Sequence, residues 1–250
     1  MTTIGFGLPE GFQIMTLAPV SAFELANVVA KERLYEIRLL SEHGGPLRNS
    51  FGVSIDTRVL SRHRMDTLIV GGLVHPVPSS PAFLRQIRKA AASTRRIASV
   101  CTGAFILAEA GLLDERRVTT HWHHARDLQK QFPLARVEED RIYIIDGPVW
   151  TSAGMSAGVD LALGMIEKDF GADLARDVAQ HLVVHHRRAG GQSQHSKLLE
   201  MDAKTDRIQG ALAFARQNLH APLTVGSLAE AAHLNPRQVK MALQGPASFM

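Results

Sequence analysis

The sequence predicts an α/β protein in which a mostly parallel, doubly wound sheet is followed by a small all-α segment. Short apolar runs rich in β-branched residues alternate with longer helical patterns up to about residue 182, as in strands joined by crossover helices. Beyond residue 204 the periodicity is only helical, and a polar, glycine-containing stretch separates the two parts. We therefore expect a first domain at 1–186, a linker at 187–203 and a helical segment at 204–250.

Each element of the first domain has its own signal. The predicted strands are short apolar runs, and the predicted helices repeat an apolar residue about once a turn. Pro81 suits the first turn of a helix, and Val159, Leu163 and Ile166 mark one face of a long helix. The strands are predicted at 3–8, 35–40, 67–70, 97–100, 118–120, 142–145 and 149–152, and the other helices at 17–30, 81–93 and 104–110.

The helical segment has the signals of a helix-turn-helix. Thr224 suits the cap of a second helix at 225–232, and Asn235 with Pro236 suits the start of a third. The tight turn between these helices needs a left-handed residue, where glycine is usual and His233 is uncommon. A single face of the first helix is predicted to carry Ile208, Leu212, Ala215 and Leu219.

Composition favours a folded protein of one large domain and a smaller one. The 250 residues are 45% hydrophobic and 21% charged, close to the averages of globular proteins. The sequence has no run of 18 apolar residues, its first residues do not resemble a signal peptide, and Cys101 is the only cysteine. We expect a cytoplasmic protein without membrane contact, internal disulfides, cofactor or metal.

Positive charge is concentrated near the carboxyl end of the sequence. Residues 187–250 carry 8 Lys and Arg against 4 Asp and Glu, whereas residues 1–186 carry 20 of each. A basic segment is suited to contact with DNA phosphates. Ordinary surface charge explains the same excess equally well, so charge alone leaves both interpretations open.

Cys101 is predicted to lie where a buried strand turns sharply into a helix, in SVCTGAF at 99–105. Such an elbow exposes a side chain at the carboxyl end of the sheet, where open α/β folds bind ligands. The helix amino terminus would favour a thiolate, so we expect a thiol more reactive than a free cysteine. A small buried hydrophobic residue is the alternative.

Histidines suggest a partner for this cysteine. His121 follows a predicted strand and could reach the same edge of the sheet as Cys101, an arrangement that activates thiols in cysteine enzymes. The histidine clusters at 121–124 and 181–186 are also candidates for a metal site. His181 and His185, however, lack the glutamate and the third ligand of a zinc motif. Solvated histidines explain these clusters better.

Several segments together resemble one family. SVCTGAFILAEAGLLDERRVTTHW, GPVWTSAGMSAGVDLALGMIEKDFG and HHRRAGGQSQ resemble the PfpI-type, amidotransferase-like sensor domain of GlxA-type regulators in the AraC family, over nearly all of 3–195. RIQGALAFARQNLHAPLTVGSLAEAAHLNPRQ resembles the first helix-turn-helix of an AraC-type DNA-binding domain. The resemblance implies a flavodoxin-like fold, a small effector such as an amino acid or quaternary amine, promoter DNA and a homodimer. It also implies base or phosphate contacts by Arg237, Gln238 and Lys240.

The sequence departs from the related enzymes and regulators. Amidotransferases have a glutamate two residues after the histidine, where His123 stands here, and PfpI-like enzymes have a carboxylate near Thr16 and Ser21, where Glu24 is the nearest acid. Losing an acid–base partner costs about 100-fold or more in rate. AraC-type domains also have a second helix-turn-helix, for which this sequence has no counterpart.

We therefore predict a regulator that senses a metabolite, with Cys101 and His121 as a degenerate, non-catalytic pair. The predicted ligand pocket is formed by Gly72, Cys101, Thr102, His121 and Trp122. With one helix-turn-helix, DNA binding is expected to be weak, salt-sensitive and largely independent of sequence. The alternatives are a cysteine-dependent enzyme of the PfpI or isonitrile hydratase kind and a remnant that folds without output.

Overall fold

A mixed, mostly parallel sheet organises the first part of the chain. The computed structural model describes residues 1–184, 188, 190–191, 193–194, 206–220, 222–237 and 239. Within that part the main sheet has eight strands, β1 (Thr2–Gly7), β2 (Tyr35–Ser41), β3 (Gly45–Arg48), β4 (Ser54–Val59), β5 (Thr67–Val70), β6 (Arg96–Val100), β9 (Tyr143–Asp146) and β10 (Val149–Ser152). Their order across the sheet is β3-β4-β2-β1-β5-β6-β10-β9.

The predicted doubly wound sheet is confirmed. Neighbouring strands are parallel except for the outer pairs β3 with β4 and β9 with β10. β1 lies between β2 and β5, so the chain winds outward in both directions from this centre. In such folds ligands bind outside the carboxyl ends of the central strands.

Helices cover both faces of this sheet. The helices of the first part are α1 (Ala18–Ala30), α2 (Pro81–Ala91), α3 (Gly103–Glu109), α4 (Trp122–Gln131), α5 (Ser156–Phe170) and α6 (Ala172–His181). α1, α5 and α6 pack against one another over one core, which includes the fully buried Trp150. α2 and α3 cover a second core with Phe83 and Ile87.

The structure contains elements that the sequence pattern did not predict. β3 and β4 expose most of their side chains, so they lack the apolar run that marks a buried strand. The strand predicted at 118–120 is shorter: β7 (Arg117–Val118) pairs with β8 (Arg136–Val137) in a separate small sheet. α4 and α6 were also missed because polar residues dominate their sequences.

The second part contains the predicted helix-turn-helix. α7 (Asp206–Gln217) packs against α8 (Val225–Ala231), and Thr224 caps α8 in a reciprocal capping box with Ser227. His233 has φ of 51°, so the left-handed turn is confirmed. Residues 236, 237 and 239 are helical, and Val239 is buried.

The predicted apolar face of α7 needs one correction. Leu219 lies beyond the end of α7 and is 75% exposed, whereas Ala211 is buried. The helix ends at Gln217, so the spacing that would have placed Leu219 on the buried face is not continued. Ile208 and Leu212 have side chains outside the described set.

The chain divides into two compact units, Met1–Gln194 and His195–Met250. Arg188, Ser193 and Gln194, which the sequence pattern assigns to the linker, hydrogen-bond to the first unit. The remaining predicted limits of the linker and the helical segment stay a prediction.

Candidate functional site at the carboxyl edge of the sheet

Cys101 lies at the predicted sharp turn between β6 and α3. Its φ of 55° is left-handed, a strained conformation for a residue with a Cβ. The Cys101 amide donates to the Ser152 carbonyl at 3.1 Å. A Cβ at Gly154 would lie 2.5 Å from the Cβ of Cys101, so a glycine is needed for the chain to pass this close. The surrounding backbone therefore fixes the elbow.

Gly72 and Thr102 are in direct contact beside this elbow. A Cβ at Gly72 would lie 2.3 Å from the Thr102 hydroxyl oxygen. That hydroxyl donates to the Leu73 carbonyl at 2.6 Å. The Gly72 amide donates to Thr16 Oγ1 at 3.2 Å. Thr16 is thus a structural hydroxyl, because its oxygen holds the loop that follows β5.

The Cys101 thiol is mostly buried, at 8% exposure. Burial raises the pKa of the thiol, and hydrogen bonds from the Thr102 backbone and side chain lower it by less. The neutral thiol is therefore favoured at neutral pH. This direction opposes the expectation of a thiol more reactive than a free cysteine, because loss of solvent outweighs the hydrogen bonds at this elbow. The reactivity itself stays a prediction.

His121 and Trp122 lie at the start of α4, directly after Thr120, which hydrogen-bonds to Cys101. The Thr120 hydroxyl donates to the Cys101 carbonyl at 2.8 Å. His121 is half-buried and caps α4, with Nδ1 accepting from the His123 amide at 3.3 Å. Trp122 is 47% exposed. The structure therefore links this pair to Cys101 through Thr120 and joins Gly72 to Thr102, but the five residues as one ligand pocket stay a prediction.

A cavity of about 470 Å³ opens at the same edge of the sheet. It lies among the loops that follow β1, β2 and β5 and the start of α2, and Leu73 connects it to Thr102. Its volume is within the range of small-molecule sites. Apolar and acidic side chains line it, among them Leu8, Leu47, Phe83, Glu10 and Glu42, and no Lys or Arg is among the described residues that do.

Sequence reasoning missed a second feature of this edge, the strap formed by the described residues 188, 190–191 and 193–194. The Gln194 side-chain amide lies 2.9 Å from the Thr120 carbonyl and 3.0 Å from the Arg141 carbonyl. Its carbonyl oxygen accepts from the Trp122 amide at 2.9 Å. Ser193 Oγ and the backbone N–H of Gln194 both donate to the Asp140 carboxylate. The strap is therefore bonded to the loop that carries His121 and Trp122.

The other end of the strap is held by a buried carboxylate. Arg188 Nη2 and Nε donate to Asp160 Oδ2 at 2.6 and 2.9 Å, and Nη2 also donates to Ser156 Oγ. Asp160 and Ser156 lie in the first turns of α5, just after Gly154. The segment HHRRAGGQSQ marked this region in the sequence, but no local pattern indicated what it contacts.

Among the described residues, no three His, Cys, Asp or Glu side chains are grouped so that they could hold a metal ion. His181 Nδ1 lies 2.8 Å from the Asp177 carbonyl one turn earlier, and His185 and His186 lie outside the described residues. No helix in this part of the chain is long and apolar enough to cross a membrane.

The predicted DNA contacts are only partly described. Arg237 is exposed on the first turn after Asn235. Gln238 and Lys240 lie outside the described residues. The assignment of these three side chains to DNA therefore stays a prediction.

The fold and the elbow define a class: a flavodoxin-like α/β domain with a cysteine at the turn from strand to helix. A family model makes this specific, because the DJ-1/PfpI family model matches residues 17–168, more than half of the chain. The chain belongs to the DJ-1/PfpI family, as the sequence resemblance predicted.

Relatives with helix-turn-helix names extend the match beyond this domain. The HTH-type transcriptional regulator CdhR of Pseudomonas aeruginosa is 32% identical over 94% of this chain and 71% of its own length. The HTH-type transcriptional regulator GlxA of Rhizobium meliloti is 34% identical over 70% of this chain and 56% of its own length. These relatives confirm the resemblance to GlxA-type regulators.

Two further comparisons concern the first unit. The isonitrile hydratase of Pseudomonas putida is 38% identical over 45% of this chain and 48% of its own length. The crystal structure of an AraC family transcriptional regulator from Pseudomonas putida has a TM-score of 0.66 at 22% identity and covers 73% of this chain and all of that one. The structural likeness supports the fold, and the hydratase indicates that the family also contains enzymes.

Proposed function

We propose that the protein is a cytoplasmic, homodimeric transcriptional regulator whose DJ-1/PfpI domain senses a small metabolite and whose helix-turn-helix contacts promoter DNA. One observation carries the proposal: a helix-turn-helix with a capped second helix and a left-handed turn at His233 follows a DJ-1/PfpI domain in one chain. The names of the regulators that are similar over most of the chain agree with it.

The effector site that we propose is the carboxyl edge of the sheet, with Gly72, Cys101, Thr102, His121 and Trp122 on one side and the adjoining cavity on the other. Glu10 and Glu42 line the cavity without a Lys or Arg among its described lining residues. Glu42 accepts from the Ser80 hydroxyl at 2.5 Å, and His43 Nε2 lies 3.5 Å from its other oxygen, which leaves further lone pairs on the carboxylate. A cavity lined by carboxylates and apolar side chains suits a ligand that has an ammonium group and an apolar remainder, as in an amino acid or a quaternary amine.

A thermal-shift screen of amino acids and quaternary amines tests the effector. A ligand at a hundredfold excess over its Kd should stabilise the native state by about 2.7 kcal/mol. Glu42→Gln should weaken binding of a cationic hit, whereas Glu32→Gln, an exposed acid near the end of α1, should not. Equal effects of the two substitutions, or hits confined to anions, would contradict the cationic class.

The strap provides a route from this site to DNA. It bonds to the loop of His121 and Trp122 at one end and to α5 at the other, and the second unit begins at the next residue, His195. An effector that shifts α4 or its preceding loop would change the hydrogen bonds of Gln194. We infer that this changes the position of the DNA-binding helices, with Arg237, Gln238 and Lys240 as the contacting side chains.

DNA binding is tested by titrating promoter and scrambled duplexes at two salt concentrations. We expect binding that falls steeply with salt, because phosphate contacts release counterions. Arg237→Gln should reduce it, whereas Arg126→Gln, an exposed arginine of α4, should leave it unchanged. Binding that does not depend on salt, or equal losses in the two variants, would refute the assignment of DNA contacts to the helix-turn-helix.

A second candidate function is a cysteine-dependent enzyme, favoured by the elbow itself and by the isonitrile hydratase similarity. Two observations oppose it: Glu24 is the nearest acid in the stretch where the resemblance implies a carboxylate, and burial raises the pKa of the Cys101 thiol. We expect no turnover of isonitriles, amides or esters. A rate above background that disappears in Cys101→Ser, with effector binding retained, would establish the enzyme instead.

A further inference from the structure

A basic groove lies on the first unit and shares none of its described lining residues with the carboxyl-edge cavity. It has a volume of about 430 Å³ and runs between the turn at 60–64 and the second half of α2. Arg62, Arg64 and Lys89 line it, together with His63 and Gln86, and none of the described lining residues is acidic. The volume falls in the range of sites for small molecules.

The three cations that line this groove are not neutralised. Arg62, Arg64 and Lys89 form no ion pair with any described residue. Some exposed arginines elsewhere on the unit are paired, for instance Arg117 with Glu138 and Arg136 with Glu115, whereas Arg85 forms no ion pair among the described residues. Unpaired like charges around one concavity repel one another, and a bound anion would relieve that repulsion.

Gln86 provides a second, independent observation: one of its side-chain atoms is a buried acceptor without a hydrogen-bond partner among the described residues. Its Nε2 donates to the Glu42 carbonyl at 3.1 Å, which fixes the orientation of the amide. Its Oε1 is buried and has no hydrogen-bond partner among the described residues. A buried acceptor left unpaired costs about 1–3 kcal/mol. A ligand that donates a hydroxyl to Oε1 would remove that cost.

We propose that this groove is a second ligand site, for a phosphorylated small molecule that carries hydroxyl groups, such as a sugar phosphate. Arg62, Arg64 and Lys89 bind the phosphate, and Gln86 accepts from a hydroxyl. Arginine suits this role because its planar guanidinium bonds phosphate oxygens in pairs. α2 contributes to both this groove and the carboxyl-edge cavity, and the site does not depend on the proposed DNA function.

Isothermal titration of the full chain with glucose 6-phosphate, inorganic phosphate and glucose tests the site. We expect glucose 6-phosphate to bind at least about tenfold more tightly than phosphate, the contribution of one hydrogen bond that satisfies a buried acceptor. Glucose alone should not bind. Absence of phosphate-dependent heat with both phosphate compounds would overturn the proposal.

Three variants separate the two parts of the site from general surface charge. The double variant Arg62→Gln, Arg64→Gln should lose at least about tenfold for both phosphate compounds. Gln86→Leu should reduce glucose 6-phosphate to the level of phosphate while leaving phosphate itself unchanged. Arg85→Gln, also on α2 but outside the lining, should change neither.

Two further outcomes would count against the proposal. If Arg85→Gln weakens binding as much as the double variant, the effect is long-range charge and the site is wrong. If a DNA duplex displaces glucose 6-phosphate and its own binding falls in the double variant, the groove is a contact for the nucleic-acid backbone instead.

Discussion

Replacing Gln194 by alanine should loosen the strap without unfolding the first unit. The side-chain NH₂ has two hydrogens for the carbonyls around it, at 2.9 Å from Thr120 and 3.0 Å from Arg141, and its oxygen accepts from the Trp122 amide at 2.9 Å. Three neutral hydrogen bonds are worth about 1 kcal/mol each. Removing them lowers the free energy of local opening by about 3 kcal/mol, which is about a hundredfold in population.

Hydrogen exchange measures this opening directly. In Gln194→Ala the amide hydrogens of Trp122 and residue 194 should exchange about a hundredfold faster, because local opening limits their exchange. The global unfolding midpoint should change little, since the bonds of Ser193 and Arg188 remain. Exposure of residues 188–194 to a protease should rise in parallel.

Gln129→Ala is the matched control. Gln129 also bridges a loop, donating to the Ala135 carbonyl and accepting from the Val137 amide, but it does not contact the strap. The variant Gln129→Ala should accelerate hydrogen exchange at the Val137 amide and leave the exchange rate of the Trp122 amide unchanged. Unaltered exchange at Trp122 in Gln194→Ala, or equal acceleration there in the control, would refute the assignment of Gln194 as the residue that closes the strap.

Three further predictions concern the elbow and its surroundings. Gly154→Ala should reduce the free energy of unfolding in urea by about 3 kcal/mol or more, because the φ of Gly154 is +98° and the new Cβ would lie 2.5 Å from Cys101. The control Gly111→Ala, at a φ of +71° with open space around it, should cost about 1 kcal/mol. Similar losses in the two variants would contradict the close contact. Asp160→Asn should cost about 1–3 kcal/mol in the same assay because it leaves Arg188 with a weaker acceptor, and no loss would mean that the pair contributes little. Iodoacetamide at pH 7 should modify Cys101 more slowly than the unfolded chain, because burial raises the pKa of the thiol, and faster modification would refute that direction.

The chemistry of the site was less predictable than the position of its residues. Strand periodicity and small residues after Cys101 predicted the elbow correctly, since both signals are local. The pKa of the Cys101 thiol is not set by this local pattern, because it depends on how much solvent the loops around the elbow exclude. Leu219 is a similar case, since its exposure depends on where α7 ends.

Local signals in the sequence determined the buried strands and the apolar helices of the first part, the cysteine elbow, the capped helix at Thr224 and the left-handed turn at His233. Each depends on periodicity or backbone preference within a few residues. Tertiary structure alone decided that Thr16 holds Gly72, that Gln194 bonds to Thr120, and that acidic residues from separate loops line one cavity. Thr16 and Gly72 are 56 positions apart in the sequence, and Thr120 and Gln194 are 74 positions apart. No local preference specifies which distant groups meet once the sheet has formed.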